Sequence, residues 1–263
     1  MQAYRNTAVN AAIEAGKAIL EIYHSGNFDV TVKGDDSPLT RADVASHDVI
    51  MRHLIPTGIP VLSEEGRDIP FEERGEWREL WVVDPIDGTK EFIKRNGEFT
   101  VNIALVRDGV PVMGVIYVPV SGELYVGTAG DGAVKATCPA SDGVDAQSVI
   151  DGADSIPLAQ GDRPYTAVAS RSHMSAETES FIEELRKEQG EVALISKGSS
   201  LKLCMVAEGR ADCYPRFAPT MEWDTAAGQA ICMAAGFDVI DQDTGETIRY
   251  NREDLLNAWF LVK

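Results

Sequence analysis

The segment Leu80-Trp81-Val82-Val83-Asp84-Pro85-Ile86-Asp87-Gly88-Thr89 constrains this chain more than any other. Its four leading apolar residues read as a buried strand that ends at Asp84. Pro85 removes a donor from the ladder and holds Asp84 extended, so pairing is expected to stop there. Asp87, three residues on, folds back towards Asp84 across a tight turn. Gly88 lets the backbone approach a ligand closely, and Thr89 opens a helical turn with Lys90–Arg95. The amides of Gly88 and Thr89 then face an anion, helped by the helix dipole. One short segment thereby offers two metal-binding carboxylates, a main-chain carbonyl at Ile86 and a phosphate cradle.

Two carboxylates rarely complete a magnesium site, because hard cations take several oxygen ligands. Glu64 is the natural third, placed like Asp84 at the end of an apolar strand, Ile59–Leu62. Asp224 is the natural fourth, in Trp223-Asp224-Thr225-Ala226-Ala227-Gly228, at the start of a helix of small residues that can pack closely. Read singly, Asp87-Gly88 is equally a surface turn and Asp224 equally a helix cap. Read together and in this order, they point to one metal centre.

The rest of the chain frames these residues. Ala8, Ala11, Ala15, Ile19 and Ile22 return at helical spacing over about 4–24. Phe28–Asp35 suggests a short strand and turn, and either Thr40 or Asp43 could cap a helix over about 42–54. From Phe99 to Val134 the pattern is short strands and tight turns, as in an antiparallel meander. Residues about 138–163, rich in Ala, Ser, Asp, Gly and Pro, read partly as a junction. Beyond it, strands and helices alternate, as α/β layers require. The expected organisation is an N-terminal α+β domain over 1–145, carrying most metal ligands, and a C-terminal α/β domain over 160–263 that completes the site.

Composition excludes several classes. The net charge of −18 disfavours a nucleic-acid polymer as partner, yet metal ions and a few basic side chains can invert the field locally for a small anion. No apolar run is long enough to be a transmembrane segment, and the N-terminus lacks a secretory signal pattern. Cysteines 138, 204, 213 and 232 show no metal-ligand spacing; Cys204 and Cys232 read as reduced core thiols, which suits a cytoplasmic protein. Peripheral association with an anionic leaflet is disfavoured by the same charge. The Asp-x-x-Asp spacing is not the Asp-x-Asp of an aspartyl-phosphate enzyme. There is also no Cys-x5-Arg loop, Ser-x-Lys pair or Gly-x-Ser-x-Gly elbow. What remains is water activated by metal.

Ser63-Glu64-Glu65, Trp81–Phe92 and Glu222–Ala230 together resemble the three signature blocks of the inositol monophosphatase superfamily, and the likeness spans nearly the whole chain. It implies a layered α-β-α-β-α, sugar-phosphatase-like fold with the site where two halves meet. It also implies that Glu64, Asp84, the Ile86 carbonyl, Asp87 and Asp224 hold two or three magnesium ions. Asp43 matches the acidic position that orients the attacking water, with Thr89 as its hydrogen-bonding partner; capping a helix is the other reading of Asp43. Lys33 matches a basic residue near the metals.

Within the superfamily, Lys33–Asp43, Ala169–His173 and Gly198–Phe217 resemble the 3'(2'),5'-bisphosphate nucleotidase branch. Gly198, Ser199 and Ser200 open a helix and suit a phosphate, and Lys202 adds positive charge one turn in. Arg216 favours a second anionic group over a neutral ring. The expected substrate contacts are therefore Gly88, Thr89, Ser199, Lys202 and Arg216, with His173 near the adenosine. The bland alternative makes Lys202, Arg216 and His173 solvated side chains. The expected reaction is hydrolysis of the 3'-phosphate of 3'-phosphoadenosine 5'-phosphate, with its 5'-phosphosulfate analogue as a second candidate substrate. Its role would be disposal of the bisphosphate left after sulfate transfer, with lithium competing for a magnesium site. The rivals are an inositol monophosphatase, a fructose 1,6-bisphosphatase, and a non-catalytic nucleotide or metal sensor. The oligomeric state stays open.

Overall fold

The computed structural model describes residues 1–26, 28–32, 38–159, 161–170 and 175–263. Lys33 and His173 lie outside the described residues. In chain order the N-terminal part runs α1 (Gln2–Ser25), β1 (Thr31–Val32), β2 (Pro38–Leu39), α2 (Arg41–Leu54), β3 (Val61–Ser63), α3 (Phe71–Arg74), β4 (Glu79–Asp87), α4 (Thr89–Ile93), β5 (Thr100–Arg107), β6 (Val110–Val118), β7 (Glu123–Thr128), β8 (Gly132–Thr137), α5 (Ala146–Asp151) and β9 (Asp154–Ile156). Then follow β10 (Tyr165–Ser170), α6 (Ala176–Gln189), β11 (Val192–Lys197), α7 (Leu201–Ala207), β12 (Tyr214–Arg216), α8 (Glu222–Ala234), β13 (Val239–Asp241) and β14 (Phe260–Val262).

Strands β3 to β9 form one seven-stranded sheet in sequence order, parallel between β3 and β4 and antiparallel elsewhere. The expected meander is its centre. Side chains alternate across β4 and β5, as the two-residue strand period dictates. Trp81, Val83, Val101 and Ile103 join Ala12, Ile13, Ile19 and Ile50 of α1 and α2 in one core. Leu80, Val82, Ala104 and Val106 join Leu203, Val206, Ala227 and Ile231 of α7 and α8 in another. A third, smaller core seats Ile182 and Leu185 of α6 on Ala167, Val192, Cys213 and Leu261. The layers are therefore helices, sheet, helices, strands, helix: the expected α-β-α-β-α order.

One expectation needs correction. Pairing does not stop at Pro85: β4 continues to Asp87 through an irregularity between Asp84 and Asp87, and Asp87 pairs with Thr100. The break in register is satisfied by side chains: Ser46 Oγ donates to the Pro85 carbonyl at 2.7 Å, and Ile86 N–H donates to Asp84 Oδ1 at 3.0 Å. The junction stretch carries one short helix and one strand. Asp145 caps α5, and β9 extends the large sheet. In the C-terminal part the α/β alternation gives a parallel pair only in β10 and β11, joined to β12 by a parallel bridge from Ala167 to Cys213. The final strand, β14, inserts antiparallel between β12 and β13, a long-range pairing that sequence order does not announce. All four cysteines are buried free thiols.

Candidate active site

Three backbone features converge on one cleft. Strand β3 runs beside β4, and Glu64 N–H, one residue past β3, donates to the Val83 carbonyl at 3.1 Å, which sets Glu64 level with Asp84. The irregular end of β4 supplies Asp84 and Asp87. Helix α8 brings Asp224 in its first turn, where Asp224 Oδ2 accepts the Met221 N–H at 2.7 Å. Asp224 thus closes a capping box whose N-cap is Met221, and it also stands in the carboxylate cluster. Asp84, Asp87 and Asp224 each place a ligand oxygen within 4.8 Å of the others.

The electrostatics of this cluster are those of a cation site. Asp84 is 1% exposed. Burial, then the charges of Glu64, Asp87 and Asp224, then a hydrogen bond shared with Glu64 all push its carboxyl well above the usual range. Burial and the Asp87 charge push Asp224 up to about 8, against the Met221 amide that favours its ionised form. Like charges crowded in a buried place demand a positive partner, and an all-oxygen donor set suits a hard divalent cation. The residues present therefore fit magnesium. Ile86 is buried, and its carbonyl accepts from Thr89 Oγ1 at 3.3 Å, on the same turn.

A further carboxylate bonds to the turn that carries Thr89. Asp43, in the first turn of α2, is 2% exposed. Its Oδ2 accepts Thr40 N–H at 2.7 Å and the Thr40 hydroxyl at 2.5 Å, so Thr40 is the cap and Asp43 closes the capping box. Its other oxygen, Oδ1, accepts the Thr89 hydroxyl at 3.2 Å. Burial, the largest influence, raises the Asp43 pKa, opposed by the Thr40 hydrogen bonds.

The cleft in front measures about 130 Å³ and is lined by Asp87, Gly88, Ser199, Lys202, Arg216 and Asp224, among others. Gly88 has φ +91°, and a Cβ there would stand 3.1 Å from the Ser199 Cβ, so only glycine fits this turn comfortably. Lys202 is not a solvated side chain: it is 6% exposed. Its ammonium donates to the Ser199 carbonyl at 2.5 Å, and burial lowers its pKa to about 8 despite the nearby Asp87 charge. Arg216 is partly exposed; it donates to the Pro219 carbonyl at 3.0 Å, and its Nε is buried with no protein acceptor. Two cations thus share the cleft with the carboxylates, although the chain as a whole is strongly acidic.

Ser200 departs from its expected role. Read as part of a phosphate cradle, it is 2% exposed, and its hydroxyl lies 2.6 Å from Asp87 Oδ2 and 2.9 Å from the Asp224 carbonyl. The Asn102 amide donates to the same oxygen at 2.8 Å. Ser200 ties the two halves of the carboxylate cluster together. The partners are 113 and 98 residues away, so no local pattern could reveal this. Lys197 and Glu91 also line the cleft and were not singled out from sequence.

The chain resembles known proteins along nearly its whole length. The inositol monophosphatase family model matches residues 1–260. The 3'(2'),5'-bisphosphate nucleotidase CysQ of Escherichia coli (strain K12) is 48% identical over 257 residues, covering 95% of this chain and 96% of its own length. CysQ of Haemophilus influenzae is 32% identical, covering 98% of this chain and 91% of its own. The crystal structure of CysQ from Bacteroides thetaiotaomicron, described as a bacterial member of the inositol monophosphatase family, has a TM-score of 0.92 at 53% identity and covers 100% of this chain and 97% of that one. Enzymes of the family are metal-dependent, as the crowded carboxylates here require. Layer order, carboxylate cluster and full-length likeness lead to the same conclusion: the chain belongs to the inositol monophosphatase family.

Proposed function

We propose that this protein is a magnesium-dependent 3'(2'),5'-bisphosphate nucleotidase that hydrolyses the 3'-phosphate of 3'-phosphoadenosine 5'-phosphate. The observation that carries the reading is the pairing, in one cleft, of the carboxylate cluster with buried Lys202 and the unpaired Nε of Arg216. A monophosphate of a neutral ring needs the first element but not the second.

Glu64, Asp84, Asp87, Asp224 and the Ile86 carbonyl would hold the magnesium, two or three ions. Bound there, magnesium supplies Lewis-acid stabilisation of the phosphoryl charge and acidifies water. Thr89 donates its hydroxyl hydrogen bond to Asp43 Oδ1, which leaves an oxygen lone pair to orient the attacking water. Asp43 is fixed for this by two bonds from Thr40. Gly88, with no side chain, lets the phosphoryl group approach the main chain. Ser199, Lys202 and Arg216 take the non-reacting 5'-phosphate. The 5'-phosphosulfate analogue presents an anion at the same place and is proposed as a second substrate.

The test is phosphate release with magnesium from 3'-phosphoadenosine 5'-phosphate, inositol 1-phosphate and fructose 1,6-bisphosphate, assayed side by side. The nucleotide is expected to lead in kcat/KM. A preference for inositol 1-phosphate would leave the metal centre standing and refute the specificity assigned to Lys202 and Arg216. Inertness of the magnesium-saturated protein towards every ester would favour a sensor instead.

A further inference from the structure

Glu98 precedes β5 on the N-terminal side of the cleft, with its side chain only 14% exposed. Its carboxylate crosses to the other half of the molecule. Oε2 accepts the Gly198 N–H at 2.9 Å, and Oε1 faces the Lys197 ammonium at 3.3 Å. Its backbone is as closely engaged. A Cβ on Gly88 would lie 3.2 Å from the Glu98 carbonyl oxygen, and one on Gly198 would lie 3.0 Å from the same atom. The loop that follows Asp87 and the loop that carries Ser199 therefore both pack on this one residue.

The second loop needs such a hold. Ser199 has φ +43°, a left-handed conformation that a non-glycine residue keeps only when its surroundings impose it. On its C-terminal side, Ser200 is bonded to Asp87, and the Ser199 carbonyl is bonded to Lys202. On its N-terminal side, the hold is Glu98. The carboxylate also keeps Lys197, a third cation lining the cleft, against the wall.

We infer that Glu98 is a positioning residue for the non-reacting anionic group of the substrate: it fixes Lys197 and Gly198, and through them Ser199 and the carbonyl to which Lys202 is tied. The inference rests on the nucleotidase reading for the identity of that anion. The carboxylate cluster has its own supports in Ser200 and the Met221 amide, so loss of Glu98 affects binding of the second anion and spares turnover. That is a rise in KM with kcat unchanged.

The test compares Glu98→Ala, Glu98→Gln and Lys197→Met with the wild-type protein in magnesium. The substrates are 3'-phosphoadenosine 5'-phosphate and adenosine 3'-monophosphate, which lacks the second phosphate. Amide exchange of the peptide spanning 197–203 is followed in the substrate-free protein. Glu98→Ala is expected to raise KM for the bisphosphate about tenfold, the scale of one charge-assisted hydrogen bond, with kcat and the monophosphate KM changed less than about threefold. Exchange of the 197–203 peptide should quicken. Glu98→Gln keeps an acceptor for the Gly198 N–H and should recover most of both effects, while Lys197→Met should raise the bisphosphate KM without quickening exchange. Unchanged KM and exchange in Glu98→Ala would overturn the inference. So would a fall in kcat with weakened magnesium dependence, which would move Glu98 to the metal centre. A wild-type protein inert towards the bisphosphate would overturn the nucleotidase reading alone, because the exchange comparison decides the tether without substrate.

Discussion

Gly114→Ala should cripple the enzyme without touching any residue of the cleft. Gly114 lies in β6, where α8 crosses the sheet. A Cβ built there stands 2.2 Å from the Ala227 carbonyl oxygen and 2.9 Å from the Ala230 Cβ. Both contacts are to backbone or to a side chain with no rotamer, so neither can swing aside. Relief requires α8 to lift by on the order of 1 Å to restore ordinary contact. Gly127 in β7 meets the same helix at Ile231, so the two strands together allow its close seat. Asp224 is three residues before Ala227 on that helix and moves with it, away from Asp84 and Asp87, which stay with β4. Overpacking of this kind costs about 1–3 kcal/mol, a fall in Tm of roughly 2–12 °C for a chain of this size. A misplacement of about 1 Å at a catalytic group can cost roughly 100-fold in rate. The assay is kcat/KM for the bisphosphate across a magnesium titration, with thermal unfolding alongside. Gly161→Ala, where an added Cβ meets nothing within 4 Å, serves as the control. The expected result is a folded Gly114→Ala protein with kcat/KM down about 100-fold and a weakened magnesium response. A folded variant with unchanged kcat/KM would refute the claim that the seat of α8 sets the geometry of the carboxylates.

Other predictions concern the cleft itself. Asp84→Asn removes one of the crowded charges, so its metal-free Tm should equal or exceed that of the wild type while turnover is nearly abolished. The rise in stability with magnesium, about 2.7 kcal/mol at a hundred times Kd for a single site, should shrink in the same variant; an undiminished rise would move the metal elsewhere. Thr89→Val loses the hydroxyl that donates to Asp43, and kcat should fall roughly 10²–10⁴-fold with KM little changed. Thr89→Ser should restore it, and equal activity in the valine variant would exclude the pair from orienting water. Lys202, with its pKa lowered to about 8 by burial, is charged below that pH and neutral above it. The bisphosphate kcat/KM should therefore decline as pH rises through about 8 and level off at the value of Lys202→Met. The same alkaline limb in Lys202→Met would assign the titration to another group.

Local chemistry made much of this protein legible. The apolar run into Asp84, the Asp-Gly-Thr turn, and the small-residue helix behind Asp224 are short-range patterns, and each appears where its residues place it. The helical and strand periods likewise gave the meander and the helices, because one face of each element must be buried. Local reasoning failed where a distant partner overrides it. Pro85 ends a ladder in isolation, yet Ser46 accepts the task of satisfying its carbonyl and pairing resumes at Asp87.

The sequence by itself determined which acidic side chains are available for a metal centre and on which ends of which elements they stand. No membrane-crossing helix occurs among the described residues, consistent with the absence of a long apolar run. Only the tertiary structure decided what those groups are poised to do. Asp84 titrates high because it is buried and because Glu64 just past β3, Asp87 at the end of β4 and Asp224 of α8 are folded against it. Lys202 is buried beside Ser199. Ser200 and Glu98 join the halves across the cleft, and their partners Asp87 and Gly198 lie 113 and 100 residues away. Residue type fixes what a group can do in water. Burial and long-range neighbours set its charge, its orientation and its reach, and these exist only once the chain is folded.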